Sequence, residues 1–300
     1  MPELPEVENL RQGLEKNIVG QKIISVSVRK PKLVSGKGNI RVASLKEAKE
    51  FEKGLKSEIF LKIERRAKNL IFQFRSGKVV LGHLKMSGQF VYKPKSYKLK
   101  AIVGGHPIEL SEKTLPNKHS HIIFELNKGT LYYNDTRMFG YMLYYPNVEA
   151  FEKENHFALL GLEPLHKKFT VKYLGEALKN KTRKIKSVLM EQSVVTGLGN
   201  IYADESLFEA RIRPDRRSSS LKQPEIARLY KAIVRIIRRA IKVGGSSVAT
   251  YRLLDTTRGN YAREHKVYGK EGEKCPRCQK PLKKILIQNR TTIFCSNCQK

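Results

Sequence analysis

Apolar residues recur at two different periods along this chain, and the changeover divides it. Val7, Leu10, Leu14 and Ile18 fall on one face at steps of three and four. With Pro5 suited to a first helical turn and Gly20 to a stop, the spacing predicts a short amphipathic helix over residues 5–18. The next stretch alternates instead. Residues 23–28, 59–63, 70–74, 79–81, 89–92, 121–126 and 130–133 are rich in β-branched and aromatic side chains, with turn pairs such as Ser76-Gly77 and Lys128-Gly129 between them. Many short strands after one helix predict a β-sandwich. Beyond about residue 150 the helical period returns. It runs through residues 170–193 and is broken by Gly197-Leu198-Gly199-Asn200. Asn200 suits the cap of a helix over residues 201–210, with Asp204 and Glu205 in its early turns. Residues 213–220 read as a loop. Pro224 then opens a helix with the stripe Ile226, Leu229, Ile233, Ile236, Ile237 and Ala240, ended by Gly244-Gly245. Residues 246–265 read as an irregular, partly mobile loop, and the tail as a small hairpin. The fold class expected is α+β with several domains.

Charge sharpens this picture. Residues 1–150 carry 27 Lys+Arg against 14 Asp+Glu, and residues 151–300 carry 32 against 14. The resulting net charge of +31 is therefore spread over both halves. That distribution points to a polyanion held between two lobes rather than to a neutral domain with a basic tail. No run of about 18 apolar residues exists, so no membrane-spanning helix is expected. The N-terminus also lacks the basic-then-apolar layout of a secretion signal, and an intracellular protein facing nucleic acid is expected.

All four cysteines lie in the last 26 residues, as Cys275-Pro276-Arg277-Cys278 and Cys295-Ser296-Asn297-Cys298 with sixteen residues between the pairs. Each pair is a tight turn that aims two thiolates at one point, and two such turns make a closed tetrahedral zinc site. Four thiolates leave no open position, so Cys275, Cys278, Cys295 and Cys298 predict a structural metal. Two disulfides are the alternative, which the missing secretion signal disfavours. Residues 282–287 and 291–294 are the expected strands, with Gln288-Asn289-Arg290 at the tip. An arginine there is placed to grip phosphate.

The first eight residues, Met1-Pro2-Glu3-Leu4-Pro5-Glu6-Val7-Glu8, carry candidate chemistry. Removal of Met1 leaves a secondary amine beside carboxylates. A terminal amine is less basic than a lysine side chain, with reference pKa values of about 8 and about 10.4, so more of it is nucleophilic near neutrality. Its attack on an aldehyde-type carbon gives an iminium ion, an electron sink for elimination. Glu3 and Glu6, three residues apart, share a helix face beside it. A disordered acidic terminus is the bland alternative.

Taken together, these features resemble the formamidopyrimidine-DNA glycosylase family of base-excision repair enzymes. Five segments carry the match in the family's order. They are Pro2-Glu3-Leu4-Pro5-Glu6-Val7-Glu8, Arg65-Arg66-Ala67-Lys68, His83-Leu84-Lys85-Met86-Ser87-Gly88, Gly199-Asn200-Ile201-Tyr202-Ala203-Asp204-Glu205-Ser206-Leu207-Phe208, and the zinc hairpin with Arg290. The resemblance implies an N-terminal catalytic β-sandwich domain with flanking helices over 1–146. It implies a helix–two-turn–helix DNA-binding domain with a lesion-closing loop over 147–264, and a zinc-finger β-hairpin over 265–300.

The resemblance also implies a chemistry: removal of oxidised purines from duplex DNA, then strand cleavage at the abasic site by β,δ-elimination. Pro2 would attack C1′, Glu3 would act as general acid–base, Glu6 would support the amine and the helix start, and Lys68 would meet the lesion phosphate. Met86, Arg137 and Phe139 would fill the vacancy left by the everted nucleotide. His83, Asn200, Tyr268, Lys284 and Arg290 match phosphate-gripping positions, which orient a duplex without reading its sequence. Residues 246–265 correspond in length to the loop that closes over an everted oxidised purine. The implied cofactor is one structural Zn2+ per chain, with no catalytic metal or organic cofactor. The partner is double-stranded damaged DNA, and the protein is expected to be a monomer without membrane association in the bacterial cytoplasm, at the nucleoid.

The sequence departs from the family pattern at several points. Position 138 is methionine where a second basic residue is frequent, and residues 93–117 form a longer stretch with several lysines. The net charge is high for the family. Two other readings stand beside the first: an endonuclease VIII-like glycosylase for oxidised pyrimidines, and a non-catalytic nucleic-acid-binding protein built from the same parts.

Overall fold

A computed structural model describes residues 1–37, 40–95, 115–246 and 260–300, with the backbone alone of 102–105. The lesion-loop expectation over 246–265 and the long stretch over 93–117 therefore fall largely outside the described residues. The chain divides into two units, Met1–Phe157 with Gly244–Gly259, and Ala158–Val243 with Asn260–Lys300.

In the first unit, helix α1 spans Leu4–Ile18 and buries Val7, Leu10, Leu14 and Ile18, the predicted stripe. Two antiparallel sheets follow. Strands β2 (Phe60–Arg66), β3 (Asn69–Phe74), β4 (Val79–His83) and β9 (Tyr141–Tyr145) form a four-stranded sheet in that order. Strands β1 (Ile23–Val28), β7 (Ser120–Leu126), β8 (Gly129–Asp135), β5 (Gly88–Pro94) and β6 (Ile102–Gly105) form the other. Inward residues of both sheets share one core with α1, and an aromatic series crosses it. Phe74, Phe60, Phe72, Phe90 and Tyr133 stand in sequence with ring centroids 5.0, 6.2, 5.7 and 5.1 Å apart. Each such ring contributes roughly 1.5–3 kcal/mol by burial. This is the predicted sandwich.

Helix α2, Leu45–Leu55, and strand β9 are among the elements that were not visible in the pattern. Helix α2 is capped by the Ser44 hydroxyl accepting the Glu47 N–H, and buries only Ala48, Phe51 and Leu55 among many lysines and glutamates. Strand β9 was hidden because its apolar run does not alternate. The outer face of its sheet is itself covered, with Ile71, Val79, Leu81, Tyr141 and Leu143 forming a second cluster against Phe151 and Phe157. Phe151 comes from the short helix α3, Val148–Lys153.

The second unit is helical with a terminal hairpin. The predicted helical stretch over 170–193 is two helices, α4 (Val171–Lys179) and α5 (Ile185–Leu189). Helix α6 spans Asn200–Ala210, but its cap is Gly199. Asn200 is its first residue, a correction that frees the asparagine side chain for another partner. Helix α7, Gln223–Lys242, buries the whole predicted stripe together with Ala232. A short helix α8 spans Tyr261–Glu264. Strands β10 (Lys283–Ile287) and β11 (Arg290–Phe294) pair from Ile287↔Arg290 to Lys283↔Phe294. The turn is therefore Gln288-Asn289, both left-handed, and Arg290 opens β11 rather than lying at the tip.

Candidate active site and nucleic-acid interface

The start of α1 is built from buried polar groups. Pro2 is buried, and Glu3 and Glu6 are only 4% and 2% exposed. Glu6 holds two backbone donors: its Oε2 accepts the Glu3 N–H at 2.9 Å and its Oε1 accepts the Ser246 N–H at 2.6 Å. Helix start and residue 246 are thereby pinned together. Gly245 precedes that contact at φ +78°, and a Cβ there would lie 2.8 Å from Glu6 Oε1. The carboxylate and the glycine therefore require each other.

Lys68 is also buried, in the turn between β2 and β3 after the left-handed Ala67. A chain of contacts ties this turn to α1. Glu8 Oε2 accepts from Arg65 Nε at 2.8 Å, and Arg65 Nη1 donates to the Ala67 carbonyl at 2.8 Å. Burial pushes the Glu8 carboxyl up, but the guanidiniums of Arg11 and Arg65 outweigh it and hold it below the usual carboxylate range. The ion pair thus stays charged near neutrality.

His83 ends β4. Its Nδ1 accepts the Lys85 N–H at 2.9 Å, which leaves the proton of the neutral ring on Nε2. Burial, reinforced by Lys85 and Lys68, lowers its pKa to about 3. The ring is a neutral donor, able to hold a phosphate oxygen without carrying charge.

Two loops present Met86, Arg137 and Phe139. Met86 and Phe139 are exposed, at 39% and 48%, and the Arg137 guanidinium lies 4.7 Å over the Phe139 ring. Exposed apolar side chains held on structured loops are available to a partner. The two loops are joined by Asp135, which is fully buried. Its Oδ1 accepts from Ser87 Oγ at 2.5 Å and from the Arg137 N–H at 3.1 Å, and its Oδ2 accepts from the Gly140 N–H at 2.8 Å. Gly140 has no alternative, since a Cβ there would lie 1.9 Å from the Tyr133 hydroxyl. Met138 takes φ +52°, and its side chain packs against the sandwich core. Methionine at this position thus serves the core.

In the second unit the hairpin is docked on α6 by buried ionic groups. Lys186, on α5, is wholly buried, and its ammonium contacts Asp204 Oδ1 at 2.7 Å, the Thr291 carbonyl at 2.9 Å and Thr292 Oγ1 at 2.8 Å. Asp204 Oδ2 accepts the Ile293 N–H at 3.2 Å. Burial raises the Asp204 carboxyl to about 7 against the pull of Lys186. Removing one partner of such a pair costs about 3–5 kcal/mol. Glu205 receives the N–H groups of Lys266, Val267 and Tyr268 at 2.9–3.1 Å. Asp204 and Glu205 therefore act on the hairpin and its approach, not on the helix dipole. Asn200 Nδ2 donates to the Thr291 carbonyl at 3.2 Å. Asn200, Tyr268 and Arg290 are gathered around α6 and the hairpin in this way, while Lys284 pairs with Glu271 at 2.7 Å.

The four cysteine sulfurs lie within 4.8 Å of one another, with Cys278–Cys295 at 3.5 Å and Cys275–Cys298 at 3.9 Å. A disulfide needs about 2.05 Å. Four thiolates at about 2.3 Å from one tetrahedral ion stand about 3.8 Å apart. The sulfurs can therefore hold a single metal ion.

Sequence reasoning missed Asp135, Ser87, Glu8, Arg65, Lys186 and Gly245. Glu8, Arg65 and Ser87 lie inside the segments that carried the resemblance but had no role of their own there, and Asp135 left a signal as a polar residue ending an apolar strand.

The fold and these sites define a two-part chain: a sandwich with a polar, buried helix start, and a helical unit carrying a four-cysteine hairpin. Comparison with known proteins agrees. Residues 1–142 match the formamidopyrimidine-DNA glycosylase N-terminal domain, and residues 160–252 match the formamidopyrimidine-DNA glycosylase H2TH domain. The chain is 38% identical over 300 residues to a formamidopyrimidine-DNA glycosylase of Bacillus cereus, covering 100% of this chain and 99% of the relative. It is similar to a solved Lactococcus lactis glycosylase mutant bound to Fapy-dG-containing DNA, with a TM-score of 0.85, 36% identity and full coverage of both chains. A complex of the wild-type Lactococcus lactis enzyme with DNA containing an oxidised pyrimidine matches at 0.83 and 35%, again over both full chains. The chain belongs to the formamidopyrimidine-DNA glycosylase family.

Proposed function

We propose that the protein excises oxidised purines, 8-oxoguanine and formamidopyrimidines, from duplex DNA and then cleaves the strand at the abasic site. In this reading the Pro2 amine, freed of Met1, forms a bond to C1′ while the glycosidic bond breaks, and its electron pair leaves with the base, which takes up the proton that the amine gives up. Glu3 donates the proton that opens the sugar ring at its oxygen, giving the iminium. Loss of the C2′ proton expels the 3′ phosphate, loss of the C4′ proton expels the 5′ phosphate, and water hydrolyses the iminium to return the amine. Lys68 and the neutral His83 bind the lesion phosphates, Met86, Arg137 and Phe139 fill the vacancy, and Asn200, Tyr268, Lys284 and Arg290 hold the duplex. Residues 1–146, 147–264 and 265–300 serve as catalytic, DNA-binding and zinc-finger domains. The thiolate set suits zinc, which supplies structure and no chemistry here. The work is done in the bacterial cytoplasm.

The observation that carries this reading is the burial of Pro2 and Glu3 at the helix start, and of Lys68 in the turn between β2 and β3, in a chain whose family performs this reaction. Buried charges are costly and are retained where they act. A second reading, excision of oxidised pyrimidines, is favoured by the similarity to the Lactococcus lactis complex with such DNA. Borohydride trapping on purine-lesion and pyrimidine-lesion duplexes, with wild type, Pro2→Ala and Glu3→Gln, separates them. A Pro2-dependent adduct on the purine duplex is expected. An adduct chiefly on the pyrimidine duplex would move the substrate class, and no adduct from protein shown to lack Met1 would end the catalytic reading.

A further inference from the structure

The outer face of α7 carries a row of cations that the reaction does not use. Arg228, Lys231, Arg235, Arg238, Arg239 and Lys242 are all exposed, at steps of three or four residues apart from the adjacent pair Arg238-Arg239. The one acid on α7, Glu225, is taken by Arg216. Arg235 pairs with Glu209 and Arg239 with Glu264, while Lys231, Arg238 and Lys242 have no acidic partner among the described residues. Two hollows follow this row. One of about 440 Å3 is lined by Lys231, Arg235, Arg238, Arg239 and Lys242 around Tyr230 and Val234. The other, of about 790 Å3, starts one turn earlier at Arg228 and adds Arg211, Arg277 and Lys300.

The middle of the row lies away from Asn200, a candidate duplex contact of the same unit. Asn200 begins α6 and Glu209, the partner of Arg235, nearly ends it. Nine residues of helix put about 14 Å between them. From Arg228 to Lys242 the row runs about 21 Å, the rise of about six nucleotides along one strand. Four of the six cations are arginines, whose planar fork suits phosphate oxygens. None of the large exposed apolar side chains lies on α7. A membrane-binding helix needs such residues to insert, so the face suits a polyanion that stays in water.

We propose that the exposed face of α7 is a second nucleic-acid surface, binding the phosphate backbone of a duplex segment other than the one under repair. The protein then holds two segments at once and passes between them, and part of its large positive charge has this use. At saturation with a short undamaged duplex, sedimentation equilibrium gives two duplexes per wild-type chain. The second is lost in a Lys231→Glu, Arg238→Glu, Lys242→Glu variant, while excision from a short lesion duplex is unchanged. The corresponding triple alanine variant, checked by circular dichroism, gives the same loss of the second duplex if charge reversal harms folding. A wild-type protein that takes one duplex only, or a variant that still takes two, overturns the proposal. So does wild-type binding to phosphatidylglycerol vesicles that outcompetes duplex and vanishes in the variant, which would make the face a membrane surface. Excision is read separately, so failure of the proposed reaction would not be mistaken for failure of this surface.

Discussion

Replacing Asp135 with asparagine tests whether the loops bearing Met86, Arg137 and Phe139 are held by one carboxylate. The buried carboxylate accepts three hydrogen bonds, from Ser87, Arg137 and Gly140. Each bond to a charged group is worth about 1.5–3 kcal/mol net. An asparagine with its carbonyl in the Oδ1 position keeps the first two as weaker neutral bonds. Its NH2 then faces the Gly140 N–H, so one bond is lost and two donors oppose each other. The expected loss is about 3 kcal/mol, a large share of a typical total of about 5–15 kcal/mol. Urea unfolding followed by circular dichroism should show a lower midpoint with an unchanged slope. Because both loops are released, excision from an intact duplex should fall at least tenfold, the equivalent of about 1.4 kcal/mol. Cleavage at a preformed abasic site, where no base has to be everted, should fall less. A variant within about 0.5 kcal/mol of wild type would refute the clamp. Equal losses on both substrates would make Asp135 a purely structural residue.

Three further outcomes are expected. His83 and His265 are lowered by burial to about 3 and about 4, so below pH 6.5 the unfolded chain takes protons that the folded chain refuses. Stability should therefore fall as pH drops from about 6.5 towards 4, by up to about 1.4 kcal/mol per unit for each ring, and His83→Gln with His265→Gln should flatten the slope; an unchanged slope would exclude them as its source. Stripping the metal with a chelator, or replacing Cys295 with Ser, should loosen the hairpin docked on α6 and weaken duplex binding in parallel, and affinity that survives proven metal loss would remove the hairpin from DNA binding. Gly245→Ala should lower the thermal midpoint, since it strains a φ of +78° and drives a methyl towards Glu6 Oε1; an unchanged midpoint would show that the Glu6–Ser246 contact contributes nothing.

Several features of this protein were legible in its sequence because they are local. Helix α1 and helix α7 follow from apolar residues three and four apart, and most strands of the sandwich from alternation. The cysteine site follows from two C-x2-C turns whose sulfurs the fold brings within reach of one ion. Locality also explains what escaped. Helix α2 carries three buried residues in a charged stretch, and β9 is covered on both faces, so neither keeps a clean period. Asn200 reads as a cap by residue type, yet Gly199 holds that position and the asparagine turns to Thr291.

The tertiary structure alone decided which polar groups are buried together. Glu6 meets Ser246, 240 residues away, Lys186 meets Thr291 and Thr292 over more than a hundred, and Asp135 meets Ser87 across two strands. No period encodes such pairs. A buried carboxylate or ammonium must find donors or acceptors wherever the folded backbone leaves them, because an unmatched charge in the interior costs more than the fold can spare. The sequence by itself settled the strongly periodic helices and strands and where a metal can be held. Folding settled which distant donors each buried charge would find, and so which residues hold the candidate site in place.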